Sequence, residues 1–150
     1  MRFFLDTEFN GFGGKLISIA LVPEDENAAP FYEAIVCHHP TPWVATNILP
    51  HLRIKPISLT EMTRRFAKYL VNDPEPLLVA DWPEDIAHAA LLLIVGPGAM
   101  CPVRSLRFDL VDPELISTGT VSVAHHNALS DAVALRANVM AYEARMSRLR

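Results

Sequence analysis

Five residues that could carry acid, base or metal chemistry stand at three places along the chain. Asp6 and Glu8 are separated by one residue near the beginning, Asp85 follows a short apolar run, and His126 precedes Asp131 near the end. Carboxylate oxygen is the ligand that Mg²⁺ and Mn²⁺ prefer, and an unperturbed histidine titrates at about pH 6.5. These residue types suit a hydrolytic site that holds divalent cations beside a general base.

The first pair lies within a predicted strand, residues 2–9. Residues two apart in a strand point to the same face, so the Asp6 and Glu8 carboxylates should converge. A pair of surface acids on a half-exposed strand is the alternative. Aromatic and apolar neighbours on both sides favour a central strand, where unpaired charge is costly.

Asp85 ends the segment 81–85, which lies at the exit of an apolar strand at 77–80 and covers the start of a predicted helix at 83–95. In open α/β sheets, functional sites are built at the carboxyl ends of parallel strands. An acid in the first turn of a helix could equally complement the helix dipole. This segment alone leaves both interpretations of Asp85 open.

His126 and Asp131 flank the start of the last helix, which is predicted to run from about residue 127 to the end of the chain. Five residues of separation could let both side chains face one site across the first turn. The alternative is a solvated, polar helix start, with His125 and His126 as an incidental pair.

The remaining segments complete an α/β pattern. Strands are predicted at 2–9, 15–23, 31–37, 77–80 and 103–111, and helices around 43–47 and at 58–71, 83–95 and 127 onward. Ser58 and Glu61 form a capping box, in which each side chain should reach the other residue's amide. Three antiparallel strands followed by parallel crossovers predict a mixed five-stranded sheet flanked by helices, the order of a ribonuclease-H-like fold, in one domain spanning residues 1–150.

Charge and hydropathy restrict the function. The formal net charge is −4, which excludes a protein that coats duplex nucleic acid but allows a carboxylate site neutralised by bound cations. The most apolar run, residues 89–95, is far shorter than the roughly 20 residues needed to cross a bilayer. We therefore expect a cytoplasmic protein without a membrane partner.

Taken together and in this order, the three motifs resemble those of the DEDDh 3′→5′ exonucleases, the superfamily of ribonuclease T, oligoribonuclease and the proofreading subunit of DNA polymerase III. Asp6-Thr7-Glu8 is similar to the D-x-E of the family's first strand, and Asp85 to the aspartate of its second motif. His126 and Asp131 match its H-x-x-x-x-D. The resemblance covers the whole chain and is greatest to small stand-alone bacterial exoribonucleases.

Two features depart from the family pattern. Asp81 stands where asparagine is common in the second motif. The link from Val111 to His126 is short, whereas the family often places an extra helix there.

The resemblance implies two divalent cations, Mg²⁺ or Mn²⁺, and a role for each motif residue. Asp6 would bridge both ions, Glu8 and Asp131 would complete one of them, and Asp85 would act through water. His126 would be the general base that takes a proton from the attacking water. The products would be nucleoside 5′-monophosphates.

The resemblance also implies a partner: the 3′ end of a single-stranded nucleic acid, with RNA preferred over DNA. Phe9 and Phe12 stand where family members wedge terminal bases apart, and the backbone near Asn10 is where a 2′-hydroxyl would be read. Trp82 is a further candidate for contact with the substrate. Phe9 could equally belong to the core, and a structural role for Trp82 is the commoner outcome.

Other functions share parts of this pattern. A DNA-directed exonuclease and an inactive ribonuclease-H-like binding module would share the fold. A haloacid-dehalogenase-type phosphohydrolase is disfavoured, because it needs an aspartate where Glu8 stands. Homodimers are frequent in the family, and the apolar helix predicted at 83–95 is the candidate subunit interface.

Overall fold

A computed structural model describes residues 1–117 and 120–149. The strands are β1 (Arg2–Phe9), β2 (Leu16–Pro23), β3 (Phe31–Ala34), β4 (Leu77–Ala80), β5 (Ile94–Gly96), β6 (Ala99–Met100) and β7 (Arg107–Leu110). The helices are α1 (Pro42–Asn47), α2 (Leu59–Leu70), α3 (Pro83–Leu92), α4 (Pro113–Ile116) and α5 (Ala128–Ser147), with a 3-10 turn at Leu49–His51.

The main sheet has five strands in the order β3-β2-β1-β4-β7. β1 pairs antiparallel with β2 and parallel with β4, and β4 pairs parallel with β7. The fold is therefore α/β with three antiparallel strands followed by parallel crossovers, and the topology is ribonuclease-H-like. The fold class predicted from the sequence is confirmed.

The central position of β1 follows from its side chains, because both faces of the strand are covered. Leu5 and Phe3 pack on one face with side chains of α2 and α3, among them Phe66. Phe4 packs on the other face against α5, where Ala132 lets the helix approach closely. Buried apolar residues on alternate faces fix the register of the strand, and with it the direction in which Asp6 and Glu8 point.

The predicted helix at 83–95 is wrong at its end. α3 stops at Leu92, and Ile94–Gly96 instead pairs antiparallel with Ala99–Met100. Gly98 has a φ of 66°, a conformation open to glycine, so the glycine-rich turn reverses the chain sooner than apolar periodicity suggests. The helix is also not buried all round, since the Leu91 side chain is 61% exposed.

Smaller differences concern element ends and one cap. β3 ends at Ala34 rather than residue 37, β7 covers only Arg107–Leu110, and the short link before α5 contains the one-turn helix α4. The Ser58 hydroxyl accepts from the Glu61 amide as predicted, but the Glu61 carboxylate pairs with arginines in the next turn instead of reaching back. Among the described residues, no helix is long and apolar enough to cross a membrane.

Candidate active site

Three carboxylates from the two ends of the chain meet beside the central strand. Asp6 and Glu8 lie on β1 and Asp131 lies in the first turn of α5, and one oxygen from each falls within 4.8 Å of the others. An ion with oxygen ligands at about 2.1 Å spans about 4.2 Å between opposite ligands. Small side-chain movements therefore suffice for these three groups to hold one divalent cation.

Asp85 lies next to this cluster but is held by β1 itself. Its side chain is only 2% exposed, and its Oδ1 accepts from the Thr7 amide at 3.1 Å and from the Thr7 hydroxyl at 2.6 Å. Thr7, between Asp6 and Glu8, thus ties the start of α3 to the strand that carries the acids. The structure does not bring Asp85 into the three-carboxylate group, and its contact with a metal through water stays a prediction.

The electrostatics of the site are those of crowded, buried acids. Burial, followed by the charges of Asp131 and Asp85, raises the pKa of Glu8 to about 8. Burial and the surrounding carboxylates raise the pKa of Asp6 well above its usual range. Burial also raises the pKa of Asp85 to about 7, although the Thr7 hydrogen bond opposes the change. A bound cation would stabilise the ionised form of these carboxylates, because it offsets their mutual repulsion.

A pH-dependent stability follows for the metal-free protein. In the folded state the pKa of Glu8 is about 8 and that of Asp85 about 7, whereas the ordinary pKa values of these side chains are 4.5 and 3.8. Between those limits the folded state binds more protons than the unfolded chain. The free energy of unfolding should therefore fall as pH rises through this range.

Thermal melts in a chelator at pH 5, 6, 7 and 8 measure this dependence. The midpoint is expected to fall from pH 5 to pH 8, and millimolar Mn²⁺ at pH 8 should restore it. Glu8→Gln should flatten the dependence, because its side chain has no proton to lose. A metal-free midpoint that rises over this range would contradict the proposed electrostatics.

His126 lies at the edge of the same cleft, immediately before α5. Its backbone has a φ of 62°. Its exposed imidazole and the Trp43 ring meet in an edge-to-face arrangement, with their centroids 4.9 Å apart. The prediction that His126 and Asp131 share one site across the first turn of the helix agrees with this position, since both side chains line the cleft. Catalysis by His126 stays a prediction.

Asn127, which the sequence interpretation gave no role, fixes the start of α5. Its Oδ1 accepts from the Ser130 amide as an N-cap, and its Nδ2 donates to the Tyr32 hydroxyl at 3.0 Å and the His51 carbonyl at 2.8 Å. All three bonds are made by a buried side chain, where losing a partner is costly. Asn127 thereby sets the position of α5 relative to β3 and the 3-10 turn.

Aromatic side chains surround the carboxylates. Phe12 is 98% exposed at the tip of the β1–β2 turn, and Trp82 is 54% exposed at the start of α3. Glu84 joins the two segments, because its carboxylate accepts from the Gly13 amide and from the Trp82 indole, each at 3.1 Å. The two exposed rings therefore stand on backbone segments held in a fixed relation.

The other two predicted substrate contacts lie in different surroundings. The Phe9 ring packs against His88 of α3 at a centroid distance of 5.1 Å while still lining the cleft. The Asn10 side chain donates to the His39 carbonyl and accepts from the Thr41 amide, which attaches the β1–β2 turn to the beginning of α1. Substrate contact by either residue stays a prediction.

The cleft has a volume of about 540 Å³ and collects residues from four parts of the chain. Its lining combines the acids with aromatic and small residues: Asp6, Thr7, Glu8, Phe9, Gly11, Phe12, Trp43, Ile48, Trp82, Asp85, His126 and Asp131. None of these described lining residues is Lys or Arg. A larger cavity of about 1000 Å³ is lined in part by the β1–β2 turn, and none of the described residues that line it carries a carboxylate.

Comparison with family models and with curated proteins adds no relative. The chain matches no family model, and no curated protein is similar enough to count as a match. A metal-dependent active site is nevertheless consistent with the structure itself, through its ribonuclease-H-like sheet and its Asp6–Glu8–Asp131 cluster.

Proposed function

We propose that this protein is a divalent-cation-dependent 3′→5′ exonuclease that acts on single-stranded nucleic acid, with RNA as the preferred substrate. The observation that supports this most is the convergence of Asp6, Glu8 and Asp131 on the central strand of a ribonuclease-H-like sheet. The similarity of the three motifs to those of DEDDh exonucleases extends the proposal from metal binding to a reaction.

The residues present fit divalent cations. The ligand atoms are all carboxylate oxygens, which suit Mg²⁺ and Mn²⁺, and among the described residues that line the cleft there is no Lys or Arg that would neutralise them. Asp6, Glu8 and Asp131 would hold the first ion, and Asp85 would help to hold a second through water. Two such ions, about 3.5–4 Å apart, stabilise the attacking and leaving oxygens of a phosphodiester displacement.

The chain's own residues would supply proton transfer and positioning. His126, exposed at the rim of the cleft, would accept the proton of the attacking water. The Thr7 hydrogen bonds to Asp85 would keep the second motif against β1 throughout the reaction. Asn127 would hold the helix that carries Asp131 in place.

Shape and charge favour an unpaired 3′ end over a duplex. The exposed Phe12 and Trp82 rings offer stacking surfaces, and stacking on unpaired bases is worth about 1–3 kcal/mol per base whatever the sequence. A net charge of −4 gives little attraction to a duplex surface. The preference for RNA requires contact with the 2′-hydroxyl, for which the backbone near Phe9 and Asn10 is the proposed reader.

The test uses 5′-labelled RNA and DNA oligomers of the same sequence, each single-stranded, 3′-overhanged or blunt, with Mn²⁺ or Mg²⁺. Stepwise shortening from the 3′ end is expected, fastest on RNA with an unpaired end, and it should stop in a chelator. A 3′-phosphate-blocked oligomer is the matched control for end recognition. Internal cuts or shortening from the 5′ end would overturn the exonuclease assignment, whereas faster attack on DNA would change only the preferred sugar.

A further inference from the structure

One aromatic ring in the cleft contacts the proposed general base directly. Trp43, in the first turn of α1, lies 4.9 Å from the His126 ring between centroids, with the two planes at 82°. This is the edge-to-face arrangement in which aromatic rings attract each other. Trp43 stands 83 residues before His126 in the chain, outside the three acidic motifs.

The backbone around His126 is fixed, but its imidazole has few partners. The Ser130 hydroxyl accepts from the Ala124 amide, and Asn127 caps α5, so the chain is attached on both sides of His126. With the residues that the structure describes, the His126 side chain makes ring contacts to Trp43 and His125 and no hydrogen bond or ion pair. The Trp43 contact, the shorter of the two, therefore has the larger part in orienting the imidazole.

Trp43 is itself held independently of His126. Val44, the next residue, is fully buried, and Thr41 caps α1 by accepting from the Val44 amide. The Thr41 amide in turn donates to Asn10 in the β1–β2 turn. The indole is thus presented to the cleft by a short helix that other contacts keep in place.

We propose that Trp43 is a positioning residue that holds the His126 imidazole toward the carboxylate cluster. This inference rests on the proposed function for its kinetic consequence, while the contact itself can be tested without activity. An imidazole free to rotate on an exposed side chain spends only part of its time in the productive orientation. The Trp43 ring restricts it before substrate binds, which is preorganisation of a catalytic group.

The kinetic test is a double-mutant cycle of Trp43 and His126, with Trp43→Phe added as the conservative variant. Trp43→Ala should lower kcat about tenfold with little change in KM, and Trp43→Phe, which keeps an edge-to-face ring, should recover most of it. In a His126→Ala background, Trp43→Ala should have almost no further effect, because the group it positions is gone. Effects that multiply in the double variant, or a change confined to KM, would overturn the proposal.

A second measurement separates this inference from the nuclease assignment. NMR signals of the His126 ring protons, recorded without metal or substrate and assigned by their loss in His126→Ala, should shift in Trp43→Ala. Trp82→Ala is the matched control: Trp82 is 54% exposed against 53% for Trp43 and lines the same cleft, yet in the described part of the chain its ring does not contact that of His126. His126 signals that stay in place in Trp43→Ala would refute the positioning role, even in an active enzyme.

Discussion

Replacing Asp6 by Asn is expected to lower hydrolysis by about 10³-fold or more while the protein stays folded. Asp6 is the carboxylate that the other acids of the site surround, and each contributes to raising its pKa. Losing its charge should remove several kcal/mol of cation-dependent stabilisation of the transition state, and each 1.36 kcal/mol is a tenfold change in rate. Asp131→Asn should behave in the same way, because Asp131 completes the cluster from α5.

The same substitutions should not destabilise the metal-free protein. Burial and repulsion make the charged form of Asp6 costly, and the neutral amide of Asn avoids that cost at any pH at which the carboxylate would be ionised. Thermal melts in chelator should give Asp6→Asn a midpoint at pH 8 equal to or above the wild-type value. Addition of Mn²⁺ should then raise the midpoint of the wild type more than that of the variant.

Asp109→Asn provides the control for this experiment. Asp109 is also an aspartate on a parallel strand of the main sheet, but it is exposed on β7 and does not line the cleft. Its replacement should leave nuclease activity near the wild-type level. A folded Asp6→Asn protein with full activity would end the proposal of cation-dependent hydrolysis at this cluster.

The fold and the carboxylate cluster were predictable because local patterns determine them. Alternation along β1 places Asp6 and Glu8 on one face, and the antiparallel strands with short connections followed by α/β crossovers leave few topologies. The end of α3 was not predictable from periodicity. Ile94 and Val95 continue its apolar pattern, yet both strand propensity and the Gly98 turn favour the hairpin that forms.

The supporting contacts of the site depend on tertiary packing. Trp43 meets His126, and Asn127 meets Tyr32 and the His51 carbonyl, across long stretches of sequence with no shared motif. Only weak signals pointed to these residues. An N-cap residue at the start of a helix predicts a bond to the next turn, but not that its amide also serves two distant partners.

The contact between Thr7 and Asp85 also could not be predicted from the motif. Strand alternation directs its side chain to the face opposite Asp6 and Glu8. There its hydroxyl donates to the Asp85 carboxylate, and the backbone amide of Thr7 donates to the same oxygen. The D-x-E pattern leaves its middle position unspecified, whereas in this chain that residue attaches the second motif to the first.

Replacing His126 by Ala is expected to slow turnover by roughly 10²–10⁴-fold, the usual contribution of a positioned general base. His126 lines the cleft with Asp131, and it is not part of the group of carboxylates that could hold a cation. Binding of Mn²⁺ should therefore survive the substitution. Calorimetric titration with Mn²⁺ and single-turnover kinetics on a short RNA measure the two properties separately.

The neighbouring histidine is the matched control, because it tests the register of the helix start. His125 is exposed, and its ring centroid lies 6.5 Å from that of His126, but it does not line the cleft. His125→Ala should leave turnover nearly unchanged. If His125→Ala were the inactive variant and His126→Ala the active one, the general base would have been assigned to the wrong residue. If both variants were fully active, proton transfer to solvent would suffice, and the cluster would work without a histidine.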